Sequence, residues 1–404
     1  MNKKERILPY ILFLVWPFLA LYHAIINYQS KYAKNIVWFF CAFFGFTFVI
    51  SSEGIDAAVY RDKFLGACND PSIEFVSYVL NDGATDFFIN FLNFFISKVT
   101  HEYRVLFLVY GLMFGFFYSR NITILIEQSH KKIDRYSWLS LILFIFLVPF
   151  WNINGIRFYL ATHIFLHALL GFYFLKKKRY LLLLLFAPYV HFSFWICNAI
   201  FALHLVLGKK SFFYIAFVLV SFFIYKPDMG TILQYMPQLD GAAQDKLTGY
   251  TFHEYVDNLV EVKKNASWFL FLRNDLMQYS LLAYTLYLYL FDYKRIKKST
   301  FEPFLLLGML FIATGQFMSA FPLIERFLLI GYLFCAAFLF MYIQTNKPDY
   351  WMKRIIMLTA FPFILFILVE IRIGIDVISP GIFYTNPLVA PFIEYKTPLS
   401  KYYK

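Results

Sequence analysis

The chain has 404 residues, of which 60% are hydrophobic and 23% aromatic while only 15% are charged, a balance that excludes a water-soluble domain. Its 53 Phe and 31 Tyr fall in blocks rather than in alternation, so the apolar runs read as membrane helices and not as barrel strands. The net charge of +12 comes from short basic clusters between those runs, where it reports topology and excludes a nucleic-acid-binding face.

In chain order, the first stretch begins basic and turns apolar like a signal peptide, but Pro17 and Phe18 are followed by no small-residue cleavage site. It is expected to stay as a span or anchor. The predicted spans are 7–26, 35–51, 104–126, 138–151, 157–175, 211–226, 269–291, 301–320, 326–344 and 355–372, ten in all. Segment 84–100 places Phe87, Phe91, Phe94 and Phe95 on one face, with Asn90, Asn93 and Lys98 elsewhere, and reads as an amphipathic helix at the outer interface. Segment 180–206 lies between two basic clusters, Lys176 to Arg179 and Lys209-Lys210. It reads as a re-entrant helix pair bent near Pro188 to His191.

The connections 128–136, 176–179, 208–210, 292–300 and 345–354 each hold two to four Lys or Arg and read as cytoplasmic. The long polar loops 52–83 and 227–268 are acid-rich and fall on the outer side, where chemistry is expected. This map leaves Lys3, Lys4 and Arg6 outside, against the charge rule. The expected fold class is all-α: one polytopic transmembrane domain over 1–404, with amphipathic elements in those two loops and no internal repeat. Cys41, Cys197 and Cys335 lie in apolar runs and Cys68 in a loop, which predicts neither a disulfide nor a metal site.

The most informative stretch is Trp151 to Leu160, where a polar loop feeds directly into an apolar helix. Asn154 is expected to cap that helix, with Arg157 in its first turn, so that free N–H groups and a guanidinium together suit a phosphate. The bland alternative is an arginine snorkelling to the interface. Arg326 opens a second outward span beside Glu325, and with Arg157 forms a candidate pyrophosphate clamp to which Arg273 is a further candidate. His191, with Tyr189 and Ser193 nearby, is an ionisable group at membrane depth suited to proton transfer, or else a neutral histidine bonded to backbone. In the first outer loop Asp56 and Tyr60 stand one turn apart beside Glu53 and Arg61, placed to orient sugar hydroxyls or take a proton from one. Arg372 is one more basic candidate for substrate binding, and Glu325 joins His191 and Asp56 as a candidate catalytic group. His163 and His167 have metal-ligand spacing without a third ligand, so no metal is expected.

The order of these features resembles the EpsG and Wzy group of polysaccharide polymerases. An acid followed by tyrosine in an early outer loop is similar to Asp56 and Tyr60, an Ile-Arg pair opening a lysine-ended span to Ile156-Arg157 and Lys176 to Lys178, and a His-Ser stretch to His191-Phe192-Ser193. Arg326-Phe327 through Phe334 is similar to the family's C-terminal arginine and aromatic span. The chain departs from the family's Gly-Thr-Asp-Tyr loop at Gly54-Ile55-Asp56 and has Phe192 after the histidine. The resemblance implies a GT-C-like, metal-independent and cofactor-free glycosyltransferase of the bacterial inner membrane. Its substrate would be undecaprenyl-pyrophosphate-linked oligosaccharide on the outer side, and its partners a flippase and a chain-length regulator. A lipid-linked oligosaccharide flippase, a membrane O-acyltransferase and a ligase share many of these features and stay open at this point.

Overall fold

In the computed structural model, residues 3–50, 56–70, 72, 74–80, 86–129, 132–223, 268–318 and 325–402 are described. Regular structure among them is entirely helical. Most of the polar segment 227–268, the residue Glu53 and the turn before Glu325 lie outside the described residues. By length and apolar composition four segments qualify to cross a bilayer, namely Tyr103–Gln128, Ser137–Tyr173, Arg326–Thr345 and Tyr350–Gly374, and six shorter apolar helices accompany them. The chain forms two compact units, one comprising Met1–Lys131, Val148–Phe194 and Glu370–Lys404, the other Lys132–Leu147 and Trp195–Val369.

The first unit is built on α3 (Ala33–Phe46) and α7 (Tyr103–Gln128). These two pack at backbone distance because small residues line the seam: a methyl group on Gly111 would stand 2.2 Å from the Cys41 carbonyl oxygen, and one on Gly45 2.0 Å from that of Phe107. The Trp38 indole N–H then donates to the Leu112 carbonyl at 2.7 Å across the same seam. α9 (Ile156–Tyr173) packs on α7, and α10 (Leu182–Val190) packs on α9.

The expected first span, 7–26, is two helices rather than one: α1 (Lys3–Val15) and α2 (Pro17–Ile26). Trp16 between them leaves helical geometry (φ −152°, ψ 89°), as a residue preceding proline is pressed to do. The Tyr10 ring lies 6.2 Å from that of Phe39, and Phe13 lies 5.9 Å from Phe39 and 6.4 Å from Phe43. Contacts that advance together in sequence make α1 parallel to α3, so the chain reverses at Trp16, whose indole N–H reaches the Phe383 carbonyl at 2.5 Å. The start of α1 therefore shares an end with Asn35, which donates to the Tyr10 hydroxyl at 3.0 Å. Lys34 and Glu127, 3.8 Å apart, lie at that end too. The helix that opens with residues 3–6 therefore starts at the Asn35 end of the first unit, and 7–26 does not form a single helix.

The opposite end of the first unit carries the candidate loop elements. α4 (Asp56–Asn69) and α5 (Phe75–Leu80) pack against α6 (Phe87–Ser97). On α6, Ile89, Asn93 and Ser97 are buried while Phe91 and Phe95 are exposed, so part of the phenylalanine face points away from the protein. Buried Asn93 accepts from the Tyr110 hydroxyl on α7 through its amide oxygen, which anchors this face of α6 to α7. The C-terminal tail returns over this end, with the Val49 N–H donating to the Val377 carbonyl at 3.1 Å and Arg104 donating to the Ile393 carbonyl at 2.7 Å.

The second unit contains α8 (Ser137–Leu147), most of α11 (Phe194–Leu207), α12 (Ser211–Phe223), α13 (Trp268–Phe291) and α14 (Tyr293–Lys298). It continues through α15 (Glu302–Phe317), α16 (Glu325–Thr345) and most of α17 (Tyr350–Gly374). Its basic connections meet at one end. Lys209 lies 3.5 Å from Glu302, and the Ser211 hydroxyl donates to the Tyr293 hydroxyl at 3.4 Å. The Tyr342 hydroxyl donates to Asp292, and Gln344 accepts from the Asp134 N–H at 2.9 Å. Three of the five connections that sequence assigns to the cytoplasm, 128–136, 208–210 and 292–300, thus contribute residues to a shared pole.

Candidate functional site

The site grows from the entry to α9. α8 ends at Leu147, Pro149 follows, and a 3-10 turn over Phe150–Gly155 runs straight into α9. That turn makes Gly155 the residue before the helix, with no side-chain cap, and moves Asn154 one position too early to cap it. Instead the Asn154 amide oxygen accepts from the Ala57 N–H at 3.3 Å, satisfying one of the free donors in the first turn of α4. Gly155 permits this close approach: a methyl group there would stand 2.9 Å from the Tyr159 ring and 3.6 Å from an Asp56 carboxylate oxygen. Asp56 and Tyr60, one turn apart on α4, are thereby carried to the N-terminus of α9.

Arg157, the second residue of α9, is the hub. Its Nε–H donates to the Tyr60 hydroxyl at 2.9 Å, and its Nη1–H donates to Asp86 Oδ2 at 3.3 Å. The guanidinium lies 5.6 Å from the Tyr60 ring centre. Its side chain keeps 40% of its surface exposed, whereas the Asp86 side chain keeps 9%. The arginine is therefore held by a phenol and a carboxylate while part of its side chain stays exposed, and a guanidinium has further N–H donors with which to meet an anion. A simple snorkelling side chain would have its head in water with no such partners.

Asp86 precedes α6 at its N-cap position, yet its carboxylate makes no capping bond to that helix. It turns away, to Arg157 and, through Oδ1, to the Phe192 N–H at 2.7 Å. That second contact ties it to the break between α10 and the start of α11, where His191 adopts extended geometry (φ −149°, ψ 118°). The expected bend near Pro188 to His191 is present, and the chain interrupts its helix over His191, Phe192 and Ser193.

His191 is buried, packed against Phe158 with ring centres 5.4 Å apart. The Ser193 N–H donates to its Nδ1 at 3.3 Å, and the Ser193 hydroxyl lies 2.7 Å from the same atom. A backbone donor can only meet a lone pair, so Nδ1 accepts and the neutral ring carries its proton on Nε2. His191 in this tautomer is a hydrogen-bond donor at Nε2.

The remaining sequence candidates divide cleanly. Arg61 pairs with its neighbour Asp62 at 2.8 Å on the exposed side of α4. Arg372 is exposed and pairs with Asp376 at 3.0 Å, one turn along. Arg273, Glu325 and Arg326 belong to the second unit, where the Arg273 guanidinium lies 5.1 Å from the Phe366 ring centre. His163 and His167 are buried in the first unit around Asn121, which donates to the His163 carbonyl at 2.9 Å and lies 2.8 Å from His167 Nδ1. They are the polar lock between α7 and α9, and no group of three metal-ligating side chains occurs among the described residues. A cavity of about 600 Å³ in the second unit, beside Asp292, Arg295 and Asp349, contains none of the candidates.

The residue that sequence reasoning missed is Asp86. Its only sequence signal is an acid directly before an apolar helix, which reads as an ordinary cap.

Helices long and apolar enough to cross a bilayer, with an arginine, two carboxylates and a helix-breaking histidine gathered at the entry to α9, define the class as a helical membrane protein. The chain matches the EpsG family over residues 36–376, and it is a member of that family, a group of polysaccharide polymerase-type membrane proteins. The match spans Asp56, Tyr60, Asp86, Arg157 and His191. No curated protein and no solved structure matches the chain.

Proposed function

We propose that this protein is an inner-membrane polymerase that moves a growing glycan from undecaprenyl pyrophosphate to the non-reducing end of an incoming lipid-linked repeat unit, at the outer side. The observation that carries this reading is Arg157, held by Tyr60 and Asp86 with part of its side chain exposed at the N-terminus of α9. In the reaction the bond between the anomeric carbon and the pyrophosphate oxygen breaks, a bond from that carbon to the acceptor hydroxyl oxygen forms, and undecaprenyl pyrophosphate departs. Arg157 and the free N–H groups of α9 meet the charge that develops on the leaving oxygen. The acceptor proton passes to Asp56, a carboxylate with lone pairs to give, and the His191 Nε2–H donates to a sugar or phosphate oxygen. Arg326 and Arg273 are assigned as further contacts to the pyrophosphate, Glu325 as a further catalytic group, and Glu53, Arg61 and Arg372 as contacts to the polar substrate.

The reading also includes about ten crossings in a single GT-C-like domain with the re-entrant pair at 180–206, a metal-independent reaction, and a flippase and chain-length regulator as partners. The assignment of the site to the outer side rests on the charge rule, which reads the lysine- and arginine-rich connections as cytoplasmic. The test incubates purified protein with the lipid-linked repeat unit of its source, without nucleotide sugar or added metal, and resolves products by size. A ladder of lengths that Arg157→Ala abolishes is the expected result. Unchanged monomer, alongside a polymerase control that extends the same substrate, would overturn the proposal in favour of a flippase or acyltransferase.

A further inference from the structure

Asp86 is committed on one oxygen and loosely held on the other. The Phe192 N–H reaches Oδ1 at 2.7 Å, a short bond, whereas Arg157 Nη1 reaches Oδ2 at 3.3 Å, long for a charge-assisted contact. The Asp86 side chain is nearly enclosed at 9% exposure, whereas the Arg157 side chain keeps 40% of its surface exposed. An N-cap carboxylate would ordinarily bond the free N–H groups of its own helix. Asp86 makes no such bond and spans α6, α9 and the His191 turn instead.

Resting on the proposed role of Arg157, we infer that Asp86 is a positioning residue that acts as an exchangeable counter-ion. In the empty site it neutralises Arg157. When a phosphate oxygen arrives, Nη1 passes from Asp86 to the phosphate. Asp86 keeps its bond to the Phe192 N–H and so keeps the His191–Ser193 turn in place under the new anion. No covalent bond changes in this exchange. The arrangement explains why the weak contact faces the mobile charged partner and the strong one faces backbone.

The two roles separate by substitution. Asp86→Asn retains an oxygen for the Phe192 N–H but removes the charge that competes for Arg157, while Asp86→Ala removes both. The probe is inorganic pyrophosphate, read as the concentration that half-saturates the rise in melting temperature of the detergent-purified full chain. Asp86→Asn is expected to bind about fivefold more tightly than wild type, the factor corresponding to loss of one competing, partly exposed ion pair. An unchanged half-saturation in Asp86→Asn would overturn the inference. Hydrogen exchange over 187–194 in the wild-type protein supplies a measurement free of substitution. Protection that persists at saturating pyrophosphate supports the exchange, and protection lost on binding overturns it, since Asp86 would then have left the turn. Arg157→Ala separates this from the larger reading: if pyrophosphate still stabilises that variant, the anion binds elsewhere and the role of Arg157 fails. If only polymerisation is absent, the counter-ion role stands without it.

Discussion

Arg157 binds through two different N–H directions, Nε–H to Tyr60 and Nη1–H to Asp86, and a lysine has no counterpart to that fork. Arg157→Lys is therefore expected to keep the charge, lose the simultaneous contacts to Tyr60 and Asp86, and leave well under a tenth of wild-type polymer. Arg157→Ala should cost about 10²-fold or more, the usual loss when one stabilising donor to a developing charge is removed. Rates of polymer formation on lipid-linked substrate check both, with far-ultraviolet circular dichroism to show that the helices persist. A lysine variant as active as wild type would mean that only net charge matters at this position. Asp56 carries a separate expectation. As the base for the acceptor hydroxyl, Asp56→Asn should lose about 10²-fold or more in rate at saturating substrate. His191→Gln, which preserves a donor, should lose less, and a reversed order in measured kcat would make the histidine the base.

Glu102 shows how a single carboxylate contributes outside the site. It precedes α7, accepts from the Arg104 N–H at 3.2 Å and from the Arg104 guanidinium at 2.9 Å, and those bonds hold its carboxyl below the usual glutamate range. A depressed folded value means that the stabilisation is complete above the unfolded glutamate value and disappears as pH falls through the folded one. Glu102→Ala should therefore lower the melting temperature at pH 7, by a cost of about 1 kcal/mol typical of a lost cap. The same substitution should make little difference once the medium is acidic enough to protonate the wild-type residue. Melting curves of the two proteins across pH 3–7 would show a gap that closes on acidification, and a gap independent of pH would assign the effect to packing.

At the scale of elements, the boundaries of α7, α13, α16 and α17 were legible because long apolar runs with polar flanks leave few alternatives. The break at His191 was legible from Pro188 and from basic clusters at both ends. Three features were not. The reversal at Trp16 depends on rings of α1 meeting α3 in parallel, and hydropathy alone reads 7–26 as one run. The buried face of α6 is anchored to α7 by Asn93 accepting from Tyr110, a partner 17 positions away. Asp86 looks like a cap until the fold brings α9 and the His191 turn to it. In each case the deciding contact is between elements, and local periodicity contains no information about it. The α3–α7 seam yields an element-scale expectation: Gly111→Leu places a side chain where a single methyl group already meets the Cys41 carbonyl oxygen at 2.2 Å. Overpacking of this kind costs about 1–3 kcal/mol and here forces the backbones apart. The variant should melt lower in detergent and lose activity through displaced α7, while Gly66→Leu, at a position with no neighbouring atom within 4 Å, should be nearly neutral.

For the whole molecule, each unit carries a sidedness expectation of its own under the charge rule. In the first, α1 begins at the end shared by Asn35 and Glu127, opposite the tail that caps Trp16 and Arg104. In the second, Lys209, Asp134, Asp292 and Gln344 gather at one pole rich in lysine and arginine. If basic residues mark the cytoplasm, single cysteines replacing Lys4, Lys210 and Lys347 should resist a membrane-impermeant maleimide in intact spheroplasts and react in inverted vesicles. A cysteine replacing Lys396, exposed on the tail, should behave in the opposite way. These reactions are read in a background where Cys41, Cys68, Cys197 and Cys335 are replaced by serine or alanine. Lys4 is the decisive position, because a single crossing through 7–26 and a reversal at Trp16 put it on opposite sides. Labelling of position 4 together with position 396 in intact cells would refute the hairpin and restore the single span. Protection of 4 together with 210 and 347 would place Arg157 and the loop carboxylates on the outer face, where a lipid-linked sugar has to be met.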